Sequence, residues 1–188
     1  MDRVFILDRS GSMETCRDDT IGGFNSFVED QKATGGTLTL IQFDHEYMVS
    51  YLQKPITECE HLTHETFKPR GSTALLDAIG NMIKSWTAPG SPSIVILTDG
   101  QENASVKFTK AHIKDLIEQK TKEGWSFAYL GANQDAFAEA GSIGIAPGCT
   151  LNYDATRTPD AFRALSAAVS CQASGQSQTV DLSQTRTV

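Results

Sequence analysis

Three short apolar runs, each ending abruptly at a polar loop, constrain the fold of this chain more than any other feature. They are Val4–Leu7, Ile94–Leu97 and Phe127–Leu130. A strand with one face in water alternates apolar and polar residues, whereas a strand covered on both faces is apolar throughout. The runs therefore predict buried strands of a mainly parallel sheet.

Helical patterns fill the intervals between these runs. Ile21, Phe24, Phe27 and Val28 recur at helical spacing after the first run, and Leu75 to Trp86 repeats at three and four. Strands that alternate with helices predict an α/β fold with three layers, in which helices cover both faces of a Rossmann-like, doubly wound sheet.

One strand pair departs from the parallel pattern. Residues 37–43 and 47–52 both read as strands, and only Asp44, His45 and Glu46 separate them. A parallel crossover needs a dozen or more residues, so this pair is expected to form an antiparallel hairpin. The sheet is therefore predicted to carry one antiparallel edge strand.

The length of 188 residues and the apolar content of 39% suit a single domain. We place this domain at residues 1–171. In residues 172–188, ten of 17 residues are Gln, Ser or Thr, which predicts a flexible C-terminal tail.

The charge balance restricts the classes of partner. The chain has 16 Lys and Arg against 23 Asp and Glu, and its basic residues form no continuous stripe. Nucleic-acid binding is therefore not expected. No apolar run is long enough for a membrane span or a signal peptide, so a cytoplasmic location without membrane contact is predicted. The four cysteines form no CxxC pair, which favours reduced thiols over a zinc site.

Five oxygen-bearing side chains follow predicted strands or open a predicted helix. Asp8, Ser10 and Ser12 alternate directly after the first strand, Thr73 stands at the start of a helix, and Asp99 follows the second buried run. Carboxyl ends of parallel strands meet at one edge of a sheet. Hard oxygen donors suit Mg²⁺, Mn²⁺ or Ca²⁺, so a divalent-cation site is predicted there.

These residues carry a family resemblance. The segments Asp8–Met13, Gly71–Thr73 and Leu97–Gly100, in this order and on these elements, resemble the von Willebrand factor type A (vWA) domain with its metal-ion-dependent adhesion site. The family pattern has Asp-x-Ser-x-Ser in the first loop, Thr in the second and Asp in the third. The resemblance extends over about residues 3–171.

The resemblance implies a role for each member of the set. Ser10 and Ser12 would bind the cation directly, Thr73 directly or through water, and Asp8 and Asp99 mostly through water. Two carboxylates leave the cation with much of its charge, so an Asp or Glu of a partner protein can complete its coordination. The implied function is cation-dependent protein binding, with no catalytic residues.

Other functions remain open at this stage. A metal-dependent hydrolase could use the cation to activate water, but none of the three loops contains a histidine that could act as general base. A haloacid dehalogenase-type phosphatase needs an aspartate where Ser10 stands, and neither a Gly-x-Ser-x-Gly elbow nor a phosphate-binding loop occurs. The resemblance also allows a regulatory subunit of an AAA-type ATPase or of a stress-response assembly.

The sequence leaves two roles open for several nearby residues. Arg9 is expected to be solvated, or to touch an acidic partner. Asp77, one helical turn after Thr73, could orient that residue or simply be a charge at the rim. Residues 101–103 border the predicted crevice, where they could contact a partner or serve only as a polar loop.

Overall fold

A computed structural model describes residues 1–133 and 135–183. The six strands are β1 (Asp2–Asp8), β2 (Thr37–Phe43), β3 (Tyr47–Pro55), β4 (Ser93–Thr98), β5 (Ser126–Ala132) and β6 (Thr150–Tyr153). The α-helices are α1 (Arg17–Lys32), α2 (Leu75–Ser85), α3 (Lys110–Lys122), α4 (Ala136–Ser142) and α5 (Thr158–Ala173). Elements of the two classes alternate along the chain, apart from the β2–β3 hairpin.

The strands form one sheet in the order β3-β2-β1-β4-β5-β6. Every neighbouring pair is parallel except β2 and β3, which are antiparallel. The predicted fold class is therefore confirmed, including the antiparallel edge strand.

Side chains of β1 divide between two apolar cores, one on each face of the sheet. Phe5 and Leu7 belong to the core under α1 and α5, where the Phe5 ring lies against Phe24 and Phe162. Val4 and Ile6 belong to the core under α2, α3 and α4. Both faces are buried, which explains why the four central residues of this strand, Val4–Leu7, are all apolar.

The crevice of the fold lies where the strand order reverses. From β1 the sheet continues to β2 on one side and to β4 on the other. Leu7 of β1 pairs with Leu97 of β4, so the loops that follow these two strands begin side by side. Ligands of open α/β sheets bind at such a switch point.

The starts of the helices differ from the sequence-based prediction. The helix that Thr73 was predicted to open begins only at Leu75, so Thr73 lies in the loop before it. Residues after Ser10 form a short 3-10 helix, Gly11–Cys16, which the sequence did not indicate. The sequence pattern also predicts a short helix from Gln134 to Ala140; Gln134 lies outside the described residues, and the helix begins at Ala136.

The predicted flexible tail from residue 172 is wrong as far as residue 182. Helix α5 continues to Ala173, and the side chains of Val180 and Leu182 are completely buried. The Val180 amide donates to Ser126 Oγ at 3.1 Å, and the Leu182 amide donates to the Gly148 carbonyl at 2.7 Å. Two apolar side chains therefore anchor a segment whose composition is otherwise polar; residues 184–188 lie outside the described range.

Two further predictions concern the state of the cysteines and contact with a membrane. All four cysteines are free; Cys16 and Cys59 are buried, Cys149 is partly buried and Cys171 is exposed. No helix within the described parts of the chain has the length and apolar character needed to cross a membrane.

Candidate metal centre

The predicted hydroxyl and carboxylate side chains converge at the crevice. Ser10 Oγ and Ser12 Oγ are 3.2 Å apart, and Ser12 Oγ donates a hydrogen bond to Asp99 Oδ1 at 2.6 Å. The loop after β1 thus touches the loop after β4, although 87 positions separate Ser12 from Asp99.

Gly100 shows where Thr73 lies relative to the two serines. A methyl group added to Gly100 would stand 2.8 Å from Thr73 Oγ1, 3.4 Å from Ser12 Oγ and 3.5 Å from Ser10 Oγ. Three hydroxyl oxygens therefore lie within 3.5 Å of one point in space. The absence of a side chain at Gly100 keeps that point open.

Asp8 supports this arrangement from its buried side. The residue is completely buried; Oδ1 accepts from the Ser10 amide and Oδ2 accepts from Thr98 Oγ1, both at 2.6 Å. Each carboxylate oxygen therefore has a protein partner already. This fits the implied role of Asp8, which is to bind a cation through water rather than as a direct ligand.

Burial disfavours the charged form of both carboxylates. Loss of water raises the pKa of Asp8 to about 6, against the opposing hydrogen bonds from Thr98 and Ser10, while the charge of Asp99 raises it further. Burial is also the main cause of the raised pKa of Asp99, which the bond from Ser12 opposes. A divalent cation would supply the positive charge that these groups lack.

The centre is accessible from one side. Ser10 and Thr73 are each 2% exposed, whereas Ser12 is exposed and Asp99 is partly exposed. A partner group can therefore approach past Ser12 and Asp99, while the other donors are shielded from water.

The donor set fits a hard divalent cation. It consists only of hydroxyl and carboxylate oxygens, the ligand types that magnesium and manganese prefer. Across residues 1–133 and 135–183, no group of three or more His, Cys, Asp or Glu side chains is arranged to hold a metal. The candidate centre has two carboxylates and three hydroxyls instead, and because hydroxyls are neutral, a cation bound directly by them alone would keep much of its positive charge. The residues that would hold it are Asp8, Ser10, Ser12, Thr73 and Asp99.

Arg9 does not have the solvated position that was predicted for it. Its side chain is buried, and Nε lies 3.0 Å from Asp44 Oδ2. Arg70 Nε reaches the same carboxylate oxygen at 2.9 Å, and its other end pairs with Glu46. Asp44 is completely buried between the two guanidinium groups. The positive charge of Arg9 is thus neutralised by Asp44, the residue that follows β2.

Backbone bonds join the first two loops of the centre. The Arg70 amide donates to the Arg9 carbonyl at 2.8 Å, and the Gly11 amide donates to the Gly71 carbonyl at 3.1 Å. Gly71 has a φ of 68°, and a side chain there would overlap the ring of His45. Glycine is needed at this position for both reasons.

Residues 102 and 103 join the second and third loops. Asn103 Oδ1 accepts from the Thr73 amide at 2.9 Å, and the Asn103 amide donates to the Thr73 carbonyl at 3.0 Å. Glu102 accepts from the Leu76 amide at 2.9 Å, near the start of α2. From the sequence, these side chains were expected only to contact a partner or to form a polar loop. The backbone groups that they bind lie about 30 positions away in the chain, so nothing in the sequence indicated these bonds.

Asp77 has a different role from both that were expected. Its carboxylate accepts hydrogen bonds from the amides of Val106, Lys107 and Phe108 at 2.9–3.0 Å. Asp77 therefore fixes the far end of the loop that begins at Asp99. Among the described residues, no hydrogen bond joins Asp77 to Thr73.

Comparison with solved structures finds the same architecture elsewhere. Proximal thread matrix protein 1 (PTMP1) of the mussel byssus matches with a TM-score of 0.65 and 14% identity over 90% of this chain and 48% of that one. The vWF domain of the pili tip protein Mfa5 from Porphyromonas gingivalis matches with 0.65 and 12% over 90% and 94%. The Plasmodium vivax TRAP protein matches with 0.62 and 15% over 86% and 71%.

Two of these matches concern metal-bound proteins. One PTMP1 structure has a zinc-occupied metal-ion-dependent adhesion site, and the TRAP structure is loaded with manganese. The chain spans about half the length of the PTMP1 structures. No protein-family model matches the sequence, and no curated protein matches it. At sequence identities of 12–15%, the similarity shows a shared fold.

Proposed function

We propose that this chain, which has the fold of the vWA domains, is a protein-interaction module that binds its partner through a divalent cation. Ser10, Ser12 and Thr73 would hold the cation. Asp8 and Asp99 would act on it mostly through water. An aspartate or glutamate of the partner would complete the coordination.

One observation carries the proposal: three hydroxyl oxygens lie within 3.5 Å of a point that Gly100 leaves open, and the two serines among them are hydrogen-bonded to Asp8 and Asp99. Hydroxyl groups are neutral donors, so they orient a cation without cancelling its charge. Magnesium and manganese are six-coordinate and retain exchangeable water when the protein supplies few ligands. A partner carboxylate that replaces such a water forms a charge-assisted contact.

The chemistry of the centre favours binding over catalysis. A metal-dependent hydrolase needs a group that accepts a proton from the attacking water. His45 is the imidazole beside the described loops, but its Nδ1 lies 3.4 Å from Asp44 Oδ1 and its ring rests on Gly71. That nitrogen is directed to a buried carboxylate rather than to the three hydroxyls. We therefore propose no catalytic residue.

Metal binding can be tested without a partner. Addition of Mg²⁺ or Mn²⁺ should raise the melting temperature of the wild-type chain, because a ligand that binds only the folded state stabilises it. Asp8→Ala should not respond, since the Ser10 amide would lose the Asp8 acceptor and the Thr98 hydroxyl would lose the shorter of its two bonds, to Asp8 Oδ2. Equal shifts for both proteins would remove Asp8 from the site.

Partner binding needs a separate experiment. Affinity capture should recover specific proteins in the presence of Mg²⁺ and lose them with chelator or with Ser10→Ala. A captured protein should then lose binding when its own contacting Asp or Glu is replaced by Asn or Gln. Retention in all three conditions would contradict the metal-dependent mechanism.

A further inference from the structure

We infer that Asn103 is a positioning residue of the metal centre, which acts by fixing the backbone of Thr73. This inference rests on the proposed function, since it concerns how the third hydroxyl is presented to the cation. Asn103 itself does not bind the cation.

The contacts at Thr73 carry the inference. Asn103 Oδ1 accepts from the Thr73 amide at 2.9 Å. The carbonyl of Thr73 accepts from the amides of Asn103 and Ala104, at 3.0 and 3.2 Å. The amide and the carbonyl of this one residue are thus both bound to the loop that follows β4. One of the three bonds depends on a side chain, and that side chain is Asn103.

Thr73 needs such support because no regular element holds it. It lies two residues before α2, outside the helix. On the opposite side, the Ala74 amide donates to the Asp44 carbonyl at 2.9 Å, which ties the same loop to the end of β2. Thr73 is thus held between the loops after β2 and β4. The distance from its hydroxyl to the serines depends on both connections.

Glu102 makes the loop around Asn103 stiff. Its Oε1 accepts from the amides of Ala104 and Ser105, at 3.0 and 2.7 Å. Its Oε2 accepts from the Leu76 amide, at 2.9 Å, and from Ser105 Oγ, at 2.8 Å. One carboxylate thus joins the loop to the first turn of α2, where amides lack helical partners. Asn103 is therefore presented on a fixed frame.

Asn103 can be changed with little disturbance to the core. Its side chain is at the surface, and Asn103→Ala removes the acceptor for the Thr73 amide while it leaves the backbone bonds between the two loops. Asn103→Asp keeps an oxygen in the same place and serves as the conservative variant. Gln101→Ala alters an exposed side chain of the same loop and is the matched control.

The experiment measures Mn²⁺ affinity by calorimetry, and hydrogen exchange of the Thr73 amide in metal-free protein. Asn103→Ala should bind Mn²⁺ about 10- to 100-fold more weakly, the range typical for loss of a group that orients a metal ligand. Its Thr73 amide should exchange faster. Asn103→Asp and Gln101→Ala should retain affinity and protection.

The outcomes separate this inference from the proposed function. Unchanged Mn²⁺ affinity in Asn103→Ala, or an equal loss in Asn103→Asp, would overturn the positioning role. If the wild type binds no Mn²⁺, the proposed function fails. The exchange of the Thr73 amide then decides alone: unchanged protection in Asn103→Ala overturns the inference, and lost protection shows that Asn103 orders Thr73 without metal.

Discussion

The Ser12 hydroxyl can serve a cation and Asp99 at the same time. It donates its proton to Asp99 Oδ1 at 2.6 Å, and its oxygen still carries lone pairs for a metal. Asp99 would thereby act on the cation through Ser12 or through water. The two carboxylates of the centre thus orient hydroxyl donors and balance part of the cation's charge.

Gly100→Ala should block metal binding. Gly100 is not among the residues with positive φ, so its backbone accepts alanine, but the new methyl group would stand 2.8 Å from Thr73 Oγ1. The Mg²⁺-induced rise in melting temperature should disappear, and the melting temperature without metal should fall, because the buried Thr73 hydroxyl must move to admit the methyl group. A preserved metal response in differential scanning fluorimetry would place the cation elsewhere.

The metal-free protein should lose stability as the pH rises through the pKa of Asp8. The folded-state pKa is about 6 against an ordinary 3.8, so the folded chain binds the proton more tightly than the unfolded chain. The contribution of Asp8 to the free energy of unfolding is therefore complete below about pH 4 and lost above about pH 6. Its size is on the order of 3 kcal/mol, because one pKa unit corresponds to about 1.4 kcal/mol.

Urea unfolding of metal-free protein at several pH values measures this effect. Asp8→Asn has no titrating group at the position, so its stability should fall less between pH 4 and 7 than that of the wild type. Parallel pH profiles for the two proteins would show that the Asp8 proton is not held as its burial indicates.

Among helices, the contact of α1 with α5 depends on one of two adjacent glycines. A methyl group on Gly23 would stand 2.2 Å from the ring of Phe162, whereas one on Gly22 would have no neighbour within 4 Å. Gly23→Ala should lower the free energy of unfolding by about 1–3 kcal/mol through overpacking. Gly22→Ala should raise it by about 0.5–1 kcal/mol, since alanine favours a helix over glycine.

Denaturant unfolding of the two variants compares them directly. Both substitutions add the same methyl group to neighbouring positions of α1, so helix propensity contributes equally to each. Similar stability changes of the same sign would contradict the packing described for Phe162.

Elements with a strong local pattern could be predicted from the sequence. Strand β2 has the bounds that its residues indicated, Thr37–Phe43. The start of α2 could not be predicted, because Glu102 satisfies its Leu76 amide from a distant loop. The five candidate site residues follow from a motif, but Asn103 and Asp44 act on residues whose proximity only the folded chain reveals.

For the molecule as a whole, the sheet order explains why one edge carries the chemistry. Parallel strands bring the loops after β1 and β4 together, and the apolar cores on both faces hold the strands in place. Alternating strands and helices predicted this topology. The packing of residues 177–182 was missed because composition describes the average of a segment, whereas two apolar side chains determine where this one lies.

Leu182→Ala tests whether the C-terminal segment belongs to the domain. The side chain is completely buried, so its truncation should lower the free energy of unfolding by about 2–5 kcal/mol. Gln176→Ala, at an exposed position of the same segment, should have little effect. If Leu182→Ala unfolds at the same denaturant concentration as the wild type, the segment is not part of the core.

The central claim is that one divalent cation binds between the loops after β1 and β4 and the loop before α2. Anomalous diffraction from crystals grown with Mn²⁺ tests it most directly. We predict a single strong peak about 2.0–2.3 Å from Ser10 Oγ and Ser12 Oγ, beside Gly100, with at least one ligand position filled by water. A peak remote from these hydroxyls, or no peak at saturating Mn²⁺, would contradict the account.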